Sequence, residues 1–192
     1  LKQNGMRALI LDLRGNPGGL LDVAIDITNQ FVKKGQMITF TRGRAAESTR
    51  YYNASNDPLI PDIPMAVLVD GGSASASEIV TGALQDLDRA VIIGSTTFGK
   101  GLVQTVYPLQ ERDAVIKITT AKYFTPSGRC IQKEDYSKHT RKTERVQDDD
   151  LVNYETFGVE DRTTDSSGTD STHVLKGAYK TLAGRAVYAN GG

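Results

Sequence analysis

Lys100 stands between two glycines in the stretch GSTTFGKG, residues 94–101. Seven of the eight positions match the phosphate-loop pattern G-x-x-x-x-G-K-[ST], in which backbone amides and the lysine hold a nucleotide. The pattern fails at Gly101, where a magnesium-binding hydroxyl is required, and the following LVQTVYPL alternates like a strand where a phosphate loop opens a helix. Apolar runs on both sides predict that Lys100 lies near the core, where desolvation favours a neutral amine that can act as a general base. The other interpretation is a solvated loop lysine.

A cluster of serines occupies the stretch DGGSASASEI, residues 70–79, between an apolar run and a helical pattern. A serine at the start of a helix lies beside free backbone amides and the positive end of the helix dipole, which suits a nucleophile whose attack creates an anion. Ser75 and Glu78 also match the S-x-x-E capping box, a purely structural role. These residues alone leave both roles open for Ser75, and Ser73 and Ser77 compete for the role of nucleophile.

A second glycine-rich stretch, DLRGNPGG at residues 12–19, also lies between an apolar run and a helical pattern. Glycines there leave backbone amides pointing outward, and such amides bind a phosphate or the oxyanion of a tetrahedral intermediate. A tight turn from a strand into a helix needs the same glycines. The stretch is therefore either an anion site or a turn.

Each of these three loops follows a short apolar run that predicts a buried strand, namely RALILDL (7–13), PMAVLVD (64–70) and AVIIG (90–94). Apolar residues at helical spacing predict helices over 20–35 and 75–87. Four further strands are predicted in MITFTR, STRYYN, LVQTVYPL and AVIKITTAKYF. Strands and helices that alternate in this way predict an α/β fold of layered sheets and helices, with the site in the loops at the strand ends.

The chain divides by composition into three parts. Residues 1–132 carry the predicted strands and helices, and residues 133–172 are polar with mixed charge, which predicts a charged insertion or flexible loop. Residues 173–192 predict a strand-rich end, a hairpin that turns at Ala183-Gly184 and packs back on the core. The sequence therefore predicts one domain with an insertion.

The overall composition narrows the classes of function. The chain of 192 residues has 23 basic and 23 acidic side chains, so no net charge favours nucleic acid or an anionic membrane. The single cysteine, Cys130, excludes an internal disulfide and a thiolate metal cluster. His139 and His173 lie in polar sequence typical of the surface, so neither a histidine-based triad nor a zinc site is favoured, and we expect no cofactor. No apolar run is long enough to span a bilayer, and the first residues, LKQNGM, suggest a piece of a longer protein.

Four stretches of this sequence together resemble a known family. They are, in order, DLRGNPGGLL, GGSASASEIVTGALQD, TFGKGLVQ and AKYFTPSGRCIQ. They resemble the carboxyl-terminal processing peptidases, or tail-specific proteases, of the S41 serine peptidase family, and residues 184–192 resemble the closing segment of that family. The resemblance implies a protease core similar to the crotonase and Clp-protease folds.

A Ser-Lys dyad is the chemistry that the resemblance implies. The serine between the two alanines of SASAS corresponds to Ser75, the nucleophile, and the lysine of FGKG to Lys100, the general base. The glutamine four residues further on corresponds to Gln104, which orients the lysine. A lysine base does the proton work of a histidine, so we expect its amine within roughly 2.6–3.2 Å of the Ser75 hydroxyl in the competent state and further away in a resting form.

An oxyanion hole of two backbone amides is also implied by the resemblance. One amide follows the nucleophile and belongs to Ala76, and the other comes from a glycine of NPGG. We take that glycine to be Gly18, with the adjacent Gly19 as the alternative. Both glycine-rich loops would then serve one site.

The resemblance further implies a serine endopeptidase that cleaves proteins near their C-termini through an acyl-enzyme. It implies substrates with accessible C-termini, a PDZ domain elsewhere in the full-length protein, and a location in the bacterial periplasm or cell envelope. The oligomeric state stays open. The alternatives are a scaffold or peptide-binding module of the same fold, in which Ser75 is only a helix cap, and an acyl-CoA enzyme of the crotonase type, which has no need of Lys100.

Overall fold

The predicted alternation of strands and helices is confirmed in a computed structural model of the chain, which describes residues 4–109, 114–133 and 178–189. In order, the elements are β1 (Leu9–Asp12), α1 (Leu21–Asn29), β2 (Met37–Gly43), β3 (Arg50–Asn53), β4 (Met65–Val69), α2 (Ala76–Asp86), β5 (Val91–Gly94), β6 (Leu102–Leu109), β7 (Ala114–Phe124), β8 (Ala178–Lys180) and β9 (Ala186–Tyr188). The mixed α/β class is therefore confirmed. No helix in the described part of the chain is both long and apolar enough to cross a membrane.

A three-stranded parallel sheet, in the order β1-β4-β5, carries the three loops of interest. Leu9 pairs with Met65 and Ala66 pairs with Val91, so the three strands start and end at nearly the same level. The loops after parallel strands meet at one edge of a sheet. The DLRGNPGG, DGGSASAS and TTFGKG loops therefore converge.

The remaining described strands form antiparallel sheets. β2, β3, β6 and β7 form a four-stranded sheet in the order β3-β2-β7-β6, and β8 pairs with β9 in a two-stranded hairpin. β6 and β7 pair along the whole length of β6, from Leu102 opposite Lys122 to Leu109 opposite Ala114. The strand predicted after Lys100 is thus present.

Helix α2 and strand β4 form the centre of the core. Helical spacing predicts an apolar face of α2 at Ile79, Val80, Ala83, Leu84 and Leu87. The first four are buried, with Leu84 fully inaccessible, and Leu87 is half-buried. Burial of one such leucine side chain contributes roughly 1.5–3 kcal/mol to folding. The helix that begins after Ser75 is therefore firmly anchored.

Strand β5 differs from its prediction as a buried strand. Val91 is 61% exposed and Ile93 is 51% exposed. Because β5 is the last strand of the described parallel sheet, only one of its edges is paired. An apolar run predicts a strand, but its burial depends on the position of that strand in the sheet.

The hairpin formed by β8 and β9 contacts the end of α2. The Leu182 amide donates to the Asp86 carbonyl at 2.7 Å, and the Ala183 amide donates to Asp88 Oδ2 at 2.5 Å. Arg185 and Asp88 form an ion pair at 2.5 Å. The charged insertion predicted at 133–172 lies, from residue 134 onward, outside the described residues, as do His139 and His173.

Candidate active site

Ser75 lies in the turn that joins β4 to α2, and its backbone is strained. Its φ is 56° and its ψ is −113°, a conformation that is rare for a residue with a side chain. Such a conformation costs roughly 1–3 kcal/mol and persists only where the surroundings enforce it, most often at functional sites. Ser75 is half-buried at the first turn of α2, where the helix amides lack intrahelical acceptors.

The two serines that compete with Ser75 have structural roles. Ser73 is fully buried and its hydroxyl donates to the Leu13 carbonyl at 2.7 Å. Ser77 is 4% exposed and its hydroxyl donates to the Asn16 carbonyl at 3.2 Å. Both side chains therefore hold the turn that carries Ser75 against the DLRGNPGG loop. Ser75 is the most accessible of the three serines.

Gly18 packs directly against the turn that carries Ser75. Its φ is +92°, and a Cβ placed on it would lie 2.5 Å from the Ala74 carbonyl oxygen and 2.7 Å from the Ala76 nitrogen. A Cβ on Gly19 would meet nothing within 4 Å. Gly18 is therefore required for the close approach of the two loops, and the structure places it beside Ala76.

The second oxyanion donor stays a prediction. The Gly18 amide donates to the side chain of Asn16 at 2.9 Å, so this bond must break before the Gly18 amide can serve an oxyanion. The alternative from the sequence, Gly19, lies next to it in the same loop. The structure thus brings the NPGG loop to Ala76 without choosing between the two glycines.

Asp70 holds the first two loops together at the end of β4. Its Oδ1 accepts the Gly15 amide at 2.8 Å and the Gly72 amide at 2.9 Å. The Gly15 bond is the main reason that the pKa of Asp70 lies below its ordinary value of 3.8; desolvation opposes this shift, and the Gly72 bond adds to it. The loops are therefore joined by a group that prefers to be charged.

The loop that carries Lys100, the lysine loop, is hydrogen-bonded through its backbone to other segments of the chain. The Phe98 amide donates to the Ser73 carbonyl at 3.0 Å, and the Gly101 amide donates to Gln132 Oε1 at 2.9 Å. The Gly99 carbonyl accepts the Lys133 amide at 3.0 Å. A Cβ on Gly99 would collide with Lys133 and a Cβ on Gly101 would collide with Gln132. The two glycines that flank Lys100 therefore let residues 132 and 133 pack against the loop.

Glu78 connects the turn that carries Ser75 to the loop that carries Lys100. Its carboxylate is buried and accepts the Ser75 amide at 2.7 Å, which is the glutamate half of the predicted capping box. The same oxygen accepts the Lys100 amide at 2.9 Å. The other oxygen accepts the Thr97 hydroxyl at 2.8 Å and the Gly99 amide at 2.6 Å. One carboxylate thus bonds the backbones of Ser75 and Lys100.

The side chains of the predicted base and its orienting partner are on the surface. Lys100 is exposed, so the expectation that flanking apolar runs would carry it toward the core is wrong for this chain. Lys100 lies in the loop between β5 and β6, and the apolar run before it is itself exposed at Val91 and Ile93. Gln104 is also exposed; it lies on β6, opposite Thr119 on β7.

Ser75 and Lys100 are linked through Glu78, which accepts a hydrogen bond from the backbone amide of each. Among the described residues, which include both, no hydrogen bond joins the Ser75 hydroxyl to the Lys100 amine. The contact between the two side chains therefore stays a prediction for the competent state. The roles of Gln104 and of the oxyanion amides stay predictions as well.

A buried ion pair behind the site could not be found from the sequence. Arg129 donates to Asp86 Oδ1 at 2.5 Å, and both side chains are at most 4% exposed. Asp86 Oδ2 also accepts the Ser127 amide at 2.9 Å. The pair anchors to α2 the segment that continues to Gln132 and Lys133. The only sequence signal was the block AKYFTPSGRCIQ, which the resemblance singled out without giving its partners.

The arrangement favours nucleophilic chemistry with an anionic intermediate. A half-buried hydroxyl stands at a helix start, backbone amides lie beside it, and a lysine loop is bonded to the same turn. Preorganised amides of this kind stabilise a developing oxyanion. In the described part of the chain, no three His, Cys, Asp or Glu side chains are grouped as metal ligands.

Comparison with known proteins identifies what this geometry is similar to. Residues 1–142 match the model of "Peptidase family S41". A carboxy-terminal-processing protease of Bartonella bacilliformis is 53% identical over 127 residues, which are 66% of this chain and 29% of that protein. A CtpA-like serine protease of Staphylococcus aureus is 39% identical over 165 residues, which are 83% of this chain and 32% of that protein.

A solved structure shares the fold. The photosystem II D1 C-terminal processing protease matches with a TM-score of 0.62 and 36% identity over 68% of this chain and 33% of that protein. The chain thus spans about a third of the length of the proteins that it matches. The family of this segment is thereby established, and the activity of the whole protein has to be argued from the site.

Proposed function

Because this chain belongs to peptidase family S41, we propose that it is the catalytic core of a serine endopeptidase that cleaves proteins near their C-termini. Ser75 is the nucleophile and Lys100 is the general base. The observation that carries the proposal is the strained backbone of Ser75, whose φ of 56° is held by Gly18 at the first turn of α2. Strain of this kind at a helix start supports a functional role, because a simple helix cap has no need of it.

The proposed reaction has two stages. In the first, Lys100 takes the hydroxyl proton of Ser75 while the Ser75 oxygen attacks the scissile carbonyl. The tetrahedral oxyanion forms beside the Ala76 amide. The intermediate collapses, the C–N bond breaks, and the leaving amine takes the proton from Lys100. In the second stage Lys100 takes a proton from water, which attacks the acyl-enzyme ester. The C–O bond to Ser75 breaks, and Ser75 takes its proton back from Lys100.

The remaining residues have supporting roles in this proposal. Gln104 follows Lys100 on β6 and orients the amine, and a glycine of the NPGG loop supplies the second oxyanion amide. Gly18 is our first choice for that amide because it packs against Ala76, and Gly19 is the alternative because the Gly18 amide is bonded to Asn16.

The proposal extends to partners and location. Substrates are unfolded or flexible proteins with accessible C-termini, and a PDZ domain elsewhere in the full-length protein captures them. We place the protein outside the cytoplasm, in the bacterial cell envelope. Cell fractionation with an antibody against this chain tests the location, and finding the protein in the cytoplasm would overturn it.

Hydrolysis of an unfolded protein tests the proposed activity. The full-length protein is compared with its Ser75→Ala and Lys100→Ala variants between pH 6 and pH 10, and the products are identified by mass spectrometry. We expect the wild type to cleave near the substrate C-terminus and both variants to lose at least about a thousandfold in rate. Folding of each variant is checked by circular dichroism.

Two results would contradict the proposal. If Lys100→Ala cleaves at the wild-type rate, another base operates and the dyad is wrong. If the folded wild-type protein is inert and binds the unfolded substrate unchanged, the scaffold interpretation replaces the protease.

A further inference from the structure

We infer that Glu78 is a positioning residue of the site, which sets the backbone of the nucleophile against the backbone of the base. This inference rests on the proposed Ser75-Lys100 chemistry. The sequence predicts only a capping box for Glu78, and a cap needs only the bond to the Ser75 amide. Three further donors reach the same carboxylate from residues 19 to 22 positions along the chain. Glu78 is therefore a bridge between two loops.

The environment of Glu78 selects a carboxylate in particular. The residue is 4% exposed, and each of its two oxygens accepts two hydrogen bonds. The glutamate side chain offers two oxygens that can both accept, whereas an amide offers one oxygen and one NH₂ group that can only donate. Three of the four donors are backbone amides, which cannot reverse direction. The loops are therefore built around a buried acceptor pair.

One oxygen of Glu78 carries the functional link. Oε2 accepts the amides of both Ser75 and Lys100, so a shift of this atom moves the two residues together. A second connection between the loops, from the Phe98 amide to the Ser73 carbonyl, involves neither Ser75 nor Lys100. A misplacement of about 1 Å in a catalytic geometry can cost about 100-fold in rate. Loss of the Glu78 bridge should therefore slow acylation, with little effect on substrate affinity.

The variant Glu78→Gln tests this inference with little change in shape. Its NH₂ group has to face either the amides of Ser75 and Lys100 or the amide of Gly99, so at least one bond to a backbone amide is lost. The control is Thr81→Val, which removes a buried hydroxyl bond to the Ser77 carbonyl within the same helix and leaves Glu78 intact. Both variants are made in the full-length protein.

Three quantities are measured: kcat and KM for an unfolded protein substrate, the rate of Ser75 labelling by a fluorophosphonate probe, and the hydrogen exchange of the Ser75, Gly99 and Lys100 amides. For Glu78→Gln we expect kcat and labelling to fall by about 100-fold, KM to stay within about threefold, and exchange to accelerate in both loops. Thr81→Val should label at nearly the wild-type rate. A purely structural role would lower the folded fraction without a change in the rates of the molecules that are folded.

The outcomes separate the inference from the proposed function. A folded Glu78→Gln variant that labels within threefold of wild type overturns the inference and leaves the protease intact. If Glu78→Gln does not fold, Glu78→Asp keeps the charge but is too short to bridge the loops, and a wild-type labelling rate for that variant overturns the inference as well. If the wild type neither cleaves nor labels, the proposed function fails. In that case hydrogen exchange alone tests whether Glu78 bridges the two loops. Unchanged exchange in Glu78→Gln overturns the bridge, and faster exchange in both loops supports it.

Discussion

The turn that carries Ser75 and the loop that carries Lys100 share the Glu78 bridge but otherwise depend on different contacts. Ser75 is half-buried between β4 and α2, and its strained backbone is held by direct packing against Gly18. Lys100 is exposed, and its loop runs from the parallel sheet into β6 of the antiparallel sheet. Hydrogen bonds to Glu78 and Gln132 hold that loop in place. Apart from Glu78, the turn of Ser75 is thus positioned by packing in the core, and the loop of Lys100 is positioned mainly by polar contacts.

This difference teaches that the turn of Ser75 and the loop of Lys100 can be perturbed separately at contacts other than the Glu78 carboxylate that they share. Distorting a close-packed core costs much free energy, whereas a loop held by hydrogen bonds can shift when a single acceptor is lost. Substitutions around Ser75 should therefore change stability and activity together. Substitutions around Lys100 should change activity with less effect on the core.

The largest effect on stability is expected from the ion pair behind the lysine loop. Arg129→Met leaves the buried carboxylate of Asp86 without its partner, which should cost about 3–5 kcal/mol in the free energy of unfolding. Urea unfolding measures this value. The matched control is Arg185→Met, because the Arg185 side chain is 57% exposed in its pair with Asp88, and it should cost at most about 1 kcal/mol. Equal costs for the two variants would contradict the assignment of Arg129 as a buried anchor.

The next effect concerns the glycine that packs against the nucleophile. Gly18→Ala places a Cβ 2.5 Å from the Ala74 carbonyl oxygen at a φ of +92°, so it should destabilise the fold by about 1–3 kcal/mol and slow the labelling of Ser75. Gly19→Ala, where a Cβ meets nothing within 4 Å, is the control and should change stability by less than about 1 kcal/mol. Thermal unfolding and probe labelling measure both. A tolerated Gly18→Ala would break the contrast between packing and polar support.

A smaller effect should reveal the strain at Ser75 itself. Ser75→Gly and Ser75→Ala both remove the hydroxyl, but only glycine adopts a φ of 56° without cost. We therefore expect the glycine variant to be more stable than the alanine variant by about 1 kcal/mol, with both inactive. Denaturant unfolding of the two variants measures the difference. An alanine variant of equal or greater stability would show that the turn is not strained.

The smallest effect is a pH dependence that comes from Asp70. Because the Gly15 amide lowers the pKa of the folded carboxyl below 3.8, this group stabilises the folded state above that value, and the contribution is lost as the pH falls through the folded pKa. Unfolding free energies between pH 6 and pH 3 should therefore decline less steeply in Asp70→Asn than in the wild type. Asp12, whose pKa is lowered to about 2 by its bonds with Arg14, is present in both proteins and cancels in the comparison. Identical slopes would remove Asp70 as a tether between the loops.

The position of the turn that carries Ser75 could be predicted from the sequence because most of its determinants are local. The small residues before α2 predict a tight turn, and apolar residues at helical spacing predict the buried face that includes Ile79 and Leu84. Neighbouring parallel strands then bring their loops to one edge. These rules suffice to place Ser75 beside the first glycine-rich loop.

The base half could not be predicted in the same way because its determinants are distant in sequence. Periodicity does not record whether an apolar run is buried or exposed, so the exposure of Lys100 was missed. The partners that hold its loop match no spacing rule: Glu78 lies 22 residues from Lys100, and Gln132 lies 31 residues from Gly101. The pair of Asp86 and Arg129, 43 residues apart, was missed for the same reason.

The central claim is that Lys100 activates Ser75, and the rate of covalent labelling tests it most directly. The full-length protein is treated with a fluorophosphonate probe, and the modified residue is located by mass spectrometry in the wild type and in Lys100→Ala. We predict labelling of Ser75 in the wild type and labelling at least about 100-fold slower in Lys100→Ala, which must remain folded by circular dichroism. Labelling of Ser75 at the same rate in both proteins would contradict the claim.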